Sequence, residues 1–365
     1  MNEGQGANDG EGGADLGLPW LAAPLRQALA TQQGHAILVR GPGGVGEFEL
    51  ALALAQGWLC EATDRPIAER PCRRCASCKL FAARSHPDLL VLVPEVMREA
   101  LGWELGAGEN EEGGAGEASG KRKPSKEIRV EAVRAAIGFA TTTSARGRGK
   151  AVIVHPAERM NDVAASAFLK TLEEPAGGAR FVLCSARPDQ LLPTIRSRCQ
   201  EIVLPIPARD PAIAWLHRHG IDQPEVLLAA SGGRPQEALR LADRGIDAAA
   251  WLALPARVAA GDAAALHGWP LPAAVDALQK LCHDSLSLAC GAEPHYFSGV
   301  RLRGEAAIGA LLRWWRELAR VAAEVEHPWS VDLTVESLVG QGREALKTPR
   351  SRGSRGEALS LNSAR

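Results

Sequence analysis

The chain has 365 residues, 46% of them hydrophobic, with a formal net charge of −1. That length supports two or three domains with real cores. The near-neutral balance argues against a strongly basic nucleic-acid binder acting alone. No apolar run reaches membrane-spanning length, and no basic segment precedes an apolar one at the amino terminus, so neither a membrane span nor a secretory signal is expected. Eight cysteines without an export signal point to a reducing cytoplasm.

Residues 1–17 are rich in Gly, Asp and Glu and read as a disordered tail. From Leu18 the pattern becomes α/β. Five short apolar runs are expected as buried parallel strands: Ala36–Val39, Leu89–Val93, Ala151–Val154, Phe181–Cys184 and Ile202–Leu204. Helical stretches separate them, as parallel crossovers require. Residues 105–126 are Gly/Glu-rich and then Lys-rich, and read as a flexible insertion. After Pro205 the strand signals stop. Small helices are expected over 206–246 and longer Ala/Leu-rich ones over 247–342, with a disordered basic tail over 343–365. The fold class is thus an α/β domain over 18–205 followed by all-α segments.

The first strand runs into Arg40-Gly41-Pro42-Gly43-Gly44-Val45-Gly46-Glu47-Phe48. This is the frame of a phosphate-binding loop, G-x-x-x-x-G-K-[ST], whose backbone N–H groups cradle phosphates. Glu47 stands where Lys would reach the β- and γ-phosphates, and Phe48 where a hydroxyl would hold Mg²⁺. The loop, with Gly41 and Gly46 retained, is degenerate, and no bound ATP is expected. A working phosphate-loop ATPase also carries acids at the end of a later strand. Here Ala151–Val154 is followed by His155 and Pro156, with Glu158 off register. Two independent catalytic elements are broken.

Cys60, Cys72, Cys75 and Cys78 form C-x11-C-x2-C-x2-C. Four thiolates at this spacing suit tetrahedral Zn²⁺ and leave no open position, so the metal is expected to be structural. The zinc module spans 60–78. His86 is a candidate substitute ligand, though His-Pro-Asp ahead of a strand also reads as a turn. Cys184, Cys282 and Cys290 read as small buried apolar residues.

Over 162–175 an amphipathic helix is expected, with Ala164, Phe168 and Leu172 on one face, Asp162 as N-cap and Pro175 ending it. Thr194-Ile195-Arg196-Ser197-Arg198-Cys199 precedes the last strand. On spacing alone, Arg196 and Arg198 are either solvated charges or a guanidinium placed to reach a phosphate. Trp314 and Trp315, with Leu311, Leu312 and Leu318, read as a packed helix face. Arg146, Arg148 and Lys150 fit either a solvated turn or a phosphate contact.

Taken in order, Gly41–Phe48, the cysteine cluster, Ser166–Pro175, Arg187–Leu192, Ser197-Arg198-Cys199 and Ser231–Leu239 resemble the AAA+ clamp loader family. The degenerate loop makes the chain similar to the delta-prime subunits of bacterial DNA polymerase III within that family. The resemblance implies an AAA+ module with a helical lid (206–246) and a helical collar (247–342) that oligomerises. It implies a stator without activity of its own in a polymerase (nucleotidyltransferase) holoenzyme. Its partners would be the gamma/tau ATPase subunits and the delta subunit in a hetero-pentamer. The beta sliding clamp and primer-template DNA would be reached through the complex. Arg198 would be a trans-acting arginine finger for the neighbouring subunit's ATP, and Arg234 would lie at the second sensor position. Two other readings stay open on the residues: an ATP-hydrolysing motor subunit, and a zinc-dependent nucleic-acid-binding module.

Overall fold

The computed structural model describes residues 17–32, 34–103, 124–300, 307–324 and 329–347, apart from the side chain of residue 176. The expected tail over 1–16, most of the expected insertion (104–123) and the end of the basic tail (348–365) lie outside the described residues.

Five strands form one parallel sheet: β1 (Ala36–Arg40), β2 (Leu89–Leu92), β3 (Ala151–Val154), β4 (Arg180–Ser185) and β5 (Gln200–Val203), in the order β2-β3-β4-β1-β5. All five expected strands are present. The last begins two residues early, where Gln200 pairs with Ile37 and Val203 with Arg40. β1, β3 and β4 lie inside the sheet and are almost wholly buried, which is why they read as unbroken apolar runs. β5 is an edge strand with largely exposed side chains, so its apolar signal is weak.

Helices α1 (Ala22–Thr31), α2 (Glu47–Leu59), α3 (Ala76–Ala82), α4 (Glu95–Leu101), α5 (Val130–Thr141), α6 (Asp162–Glu173) and α7 (Pro193–Arg196) accompany the sheet. In α6, Ala164, Phe168 and Leu172 are buried at the expected spacing. Phe168 meets Phe181 of β4 edge-on, with centroids 5.2 Å apart. The N-cap is Asn161 rather than Asp162: the Asn161 side chain accepts the Ala164 N–H at 2.9 Å. Both residue types cap well, and the one in extended geometry just before the first turn takes the role.

The described chain divides into two compact units. The first comprises the residues up to Trp215 together with Arg234–Glu237; the second comprises Leu216–Gly233 and the residues from Ala238 onward. Further helices are α8 (Arg209–Arg218), α9 (Pro224–Ala230), α10 (Pro235–Asp243), α11 (Ala248–Ala260), α12 (Leu271–Ala289), α13 (Ile308–Ala323) and α14 (Val331–Ala345). The core of the second unit is built around Trp251, Phe297 and Trp314. Trp251 stacks on Phe297 at 4.8 Å, and the Trp314 indole N–H donates to the Leu338 carbonyl at 3.0 Å. Asp284 is fully buried within it and accepts the backbone N–H groups of His295, Tyr296 and Phe297 at 3.0, 2.7 and 2.8 Å.

Four sequence expectations need correction. α14 continues to Ala345, past the expected helical limit at 342, because Ala345 and Leu346 still have core to fill. Trp314 and Trp315 do not share a face. Neighbours on a helix point about 100° apart, so Trp314 is buried with Leu311 and Leu318, while Trp315 and Leu312 are exposed. Cys184 and Cys282 are buried as expected, but Cys290 is exposed just beyond the end of α12. Lys150 is buried rather than solvated, donating to the Phe139 carbonyl at the end of α5 and to the Thr142 hydroxyl.

Candidate functional site

The glycine-rich loop leaves β1 at its carboxyl end and feeds α2. Gly43, Gly44 and Gly46 have φ of 69°, 79° and 106°, a left-handed path that side chains resist. A Cβ on Gly46 would also lie 2.7 and 2.8 Å from the Leu18 and Leu21 side chains. The backbone of a phosphate cradle is therefore present, and its interior is filled from within. The Glu47 side chain is buried and folds back, its Oε1 accepting the Gly43 N–H at 2.7 Å. A Cβ on Gly41 would come within 2.9 Å of that same oxygen, so the carboxylate sits in the space the glycine leaves.

The next position is sealed as well. Phe48 is buried and stacks on His155, with centroids 4.6 Å apart and planes 21° from parallel. The residue replacing the Mg²⁺-binding hydroxyl thus packs on the residue replacing a catalytic acid. Glu158 reaches the end of β4, its Oε1 accepting the Ala186 N–H at 3.3 Å. Cys184 lies fully buried behind Glu47. Burial raises its thiol well above the ordinary range, aided by the carboxylates of Glu47, Glu49 and Glu158.

The loop's carbonyls are engaged too. Trp20 donates to Val45 at 2.7 Å, the Gln236 N–H to Gly44 at 3.2 Å and Arg234 Nη1 to Pro42 at 3.3 Å. Gln236 also bonds Glu49 at 2.6 Å. Arg234, expected at a sensor position, is therefore brought onto the loop backbone. A triphosphate entering here would displace a carboxylate from its N–H and meet its charge. Like charges 4 Å apart repel by about 4 kcal/mol at an effective dielectric near 20.

The four cysteines come together: the Sγ atoms of Cys60, Cys72, Cys75 and Cys78 all lie within 4.8 Å of one another. Thiolates around an ion at about 2.3 Å stand roughly 3.8 Å apart in a tetrahedron, so modest closure would complete the shell. The donor set suits a thiophilic ion such as zinc. Backbone N–H groups already orient the sulfurs: Cys72 N–H to Cys60 Sγ at 3.3 Å, Cys75 N–H to Cys72 Sγ at 3.4 Å, and Cys78 N–H to Cys75 Sγ at 3.4 Å. Burial raises the Cys60 thiol, and burial with the neighbouring Cys75 raises that of Cys78. Burial also acts against Cys72, but the N–H groups of Cys75 and Arg74 bring it down to about 6.

His86 stands outside this group. Its Nε2 bonds the Ser77 hydroxyl at 2.7 Å and its Nδ1 accepts the Asp88 N–H at 3.0 Å. Because the Ser77 hydroxyl donates to the Leu59 carbonyl at 2.6 Å, His86 is the donor to Ser77 and both ring nitrogens are used. Burial accordingly lowers its pKa from 6.5. Asp88 holds the turn at 144–146 through Ser144 Oγ, Ala145 N–H and Arg146 N–H at 3.0, 2.7 and 2.9 Å. Arg146 pairs with Glu61 at 2.6 Å, beside the first metal-type cysteine.

Arg198 lies at the opposite, amino-terminal end of the strands. β1 and β5 are parallel, and Arg198 precedes β5 whereas the loop follows β1. The five residues of β1, about 16 Å of strand, separate those ends. The Arg198 side chain is 33% exposed. Its Nε donates to Glu173 Oε1 at 2.5 Å, Nη2 pairs with the same oxygen, and Nη1 donates to the Thr194 carbonyl at 2.8 Å. Exposed pairs of this kind contribute about 0–1 kcal/mol, so the contact orients the guanidinium more than it stabilises the fold. Cys199 beside it is partly buried, and burial, then Glu201, pushes its thiol up to about 12.

The family described as "DNA polymerase III, delta subunit" matches residues 21–207, the whole of the sheet unit from α1 through β5. The chain belongs to this family. Among its relatives, "DNA polymerase III subunit delta'" of Pseudomonas aeruginosa is 39% identical over 233 residues, which is 61% of this chain and 62% of the relative. The protein of the same name from Escherichia coli K12 is 33% identical over 230 residues, 61% of this chain and 60% of the relative. The alignments thus span about three-fifths of these relatives' length. Among solved structures, a gamma subunit-related protein of DNA polymerase III from Thermotoga maritima aligns over 89% of this chain and 99% of that one, at 18% identity and a TM-score of 0.44. No helix among the described residues is long and apolar enough to cross a membrane.

The sequence reading missed the direction of Glu47 and the parts played by Glu173 and Gln236. That Glu47 turns inward could not be read from its identity, since a Glu at the start of a helix commonly faces solvent. Glu173 belongs to a recognisable Glu-Glu-Pro signature, but nothing in the pattern pairs it with Arg198. Gln236 carried no signal.

Proposed function

We propose that this chain is a non-hydrolysing subunit of a DNA polymerase III clamp loader. In this reading it stands beside an ATPase subunit and lends Arg198 to that neighbour's nucleotide. The observation that carries the reading is the Glu47 carboxylate bound into its own phosphate loop, with Phe48 stacked on His155 behind it. A loop so filled keeps the fold and gives up the ligand. The placement of Arg198 before β5, at the opposite end of the parallel strands from the loop that follows β1, supports action in trans.

The rest of the assignment follows the family. The four-cysteine module holds structural Zn²⁺. Its role is to fix the backbone between α2 and β2, not to supply chemistry, since four thiolates close the coordination shell. The helices over 206–246 act as a lid and those over 247–342 as a collar. Ile308, Leu312 and Trp315 are exposed at a spacing of four and three on α13, the pattern of a helix face that meets another helix. The partners are gamma/tau-type ATPase subunits and a delta subunit in a hetero-pentamer in the cytoplasm. The beta clamp and primer-template DNA are reached through that assembly.

The test is assembly. Mixing the full chain with the ATPase and delta subunits of a bacterial clamp loader and measuring intact mass should give a five-membered complex containing one copy of this chain. A chain that remains alone at micromolar concentrations of all partners overturns the reading.

A further inference from the structure

We propose that Glu173 is a positioning residue for Arg198, setting the guanidinium so that one edge of it faces a neighbour's phosphate. The inference rests on the reading of Arg198 as a trans-acting arginine, and deepens it.

The two residues are 25 apart in sequence and come from different elements. Glu173 is the last residue of α6, and Pro175, two positions on, forbids another turn. Its carboxylate is therefore delivered from a fixed helix end. Arg198 sits in the turn between α7 and β5. Glu173 Oε1 accepts from both Nε, at 2.5 Å, and Nη2, which is the inner fork of the guanidinium. The Thr194 carbonyl accepts from Nη1 at 2.8 Å, and Ser197 Oγ lies 3.4 Å from the same nitrogen. Two anchors on different elements fix the plane of a group that is otherwise the most mobile part of its side chain.

The anchoring is asymmetric. The carboxylate takes the Nε–Nη2 edge, and no carboxylate among the described residues lies on the fork between the two terminal nitrogens. That fork is the one that meets two phosphate oxygens in a planar, paired contact. Both side chains remain partly exposed, Arg198 by 33% and Glu173 by 47%, so the pair lies at the surface where a second protein can approach. An arginine held in this way has less freedom to lose when the phosphate arrives, and its position is set before reaction, which is where electrostatic catalysis gains most.

The experiment uses the full chain in a reconstituted complex whose other ATPase subunits have lost their phosphate-loop lysine, and compares Glu173→Ala, Glu173→Gln, Arg198→Ala and the double variant Glu173→Ala with Arg198→Ala. Steady-state ATP hydrolysis and melting temperature are measured for each. Glu173→Ala is expected to lower kcat about tenfold with KM for ATP unchanged, since misplacement by a fraction of an ångström costs rate and not nucleotide affinity. Glu173→Gln keeps an oxygen acceptor at the same reach and should restore most of the rate. The double variant should turn over no more slowly than Arg198→Ala alone, because a positioning residue has no effect once its target is gone. An unchanged kcat for Glu173→Ala, or a double variant slower by the product of the single effects, overturns the positioning role and leaves the arginine reading standing. Full turnover with Arg198→Ala removes both.

Discussion

Replacing Arg198 with alanine should slow ATP hydrolysis at the adjoining site about 10³-fold while leaving this chain's own melting temperature nearly unchanged. The rate effect is large because an arginine added at a developing phosphoryl charge acts on the transition state, and comparable fingers are worth roughly 10³–10⁵ in rate. The stability effect is small because the side chain is one-third exposed and its carboxylate partner nearly half exposed. The two quantities together separate a role in the neighbour's chemistry from a role in folding. The measurement requires a complex in which the other ATPase subunits have lost their phosphate-loop lysine, so that turnover reports the adjoining site alone. Arg198→Lys should recover little of the rate, since an ammonium cannot reproduce the paired contact of a planar fork.

Stripping metal from the four-cysteine module should lower the melting temperature of the first unit by about 10 °C. Ligand binding stabilises the folded state by mass action, and a site loaded at about 1,000 times its Kd contributes about 4 kcal/mol. In a unit of some 200 residues each kcal/mol moves the transition by about 2–4 °C. Metal analysis of the purified chain should give one ion per molecule. Cys75→Ser is the informative variant. Cys75 is only half-buried, so without metal its loss should be almost silent, whereas with metal it should cost nearly the whole 10 °C. A stoichiometry near zero, or a transition indifferent to chelation, contradicts the assignment. Cys78→Ser is less decisive, because Cys78 is buried and its replacement is felt with or without metal.

How much of this was legible beforehand depended on whether one segment sufficed to determine the feature. β1, β3 and β4 announced themselves because strands covered on both faces must be apolar throughout. The cysteine module was readable because metal chemistry restricts both residue type and spacing. The loss of the phosphate-loop lysine was equally plain. The direction taken by its replacement was not: Glu47 bonding back to Gly43 depends on the left-handed path of three glycines and on the room left at Gly41. The Glu173–Arg198 pair joins segments 25 residues apart through the packing of α6 and α7, which no local pattern encodes. Burial of Lys150 and exposure of Trp315 went unread for a related reason. Composition assigns a residue a preference, but the helix phase and the neighbours at its end decide which face it occupies.

The nucleotide position of this chain is filled by its own Glu47 and Phe48 side chains. Equilibrium dialysis of the isolated full chain against radiolabelled ATP with Mg²⁺ addresses it without any partner. No saturable binding up to millimolar nucleotide and no release of phosphate are expected. Micromolar binding, or turnover by the chain alone, would contradict it.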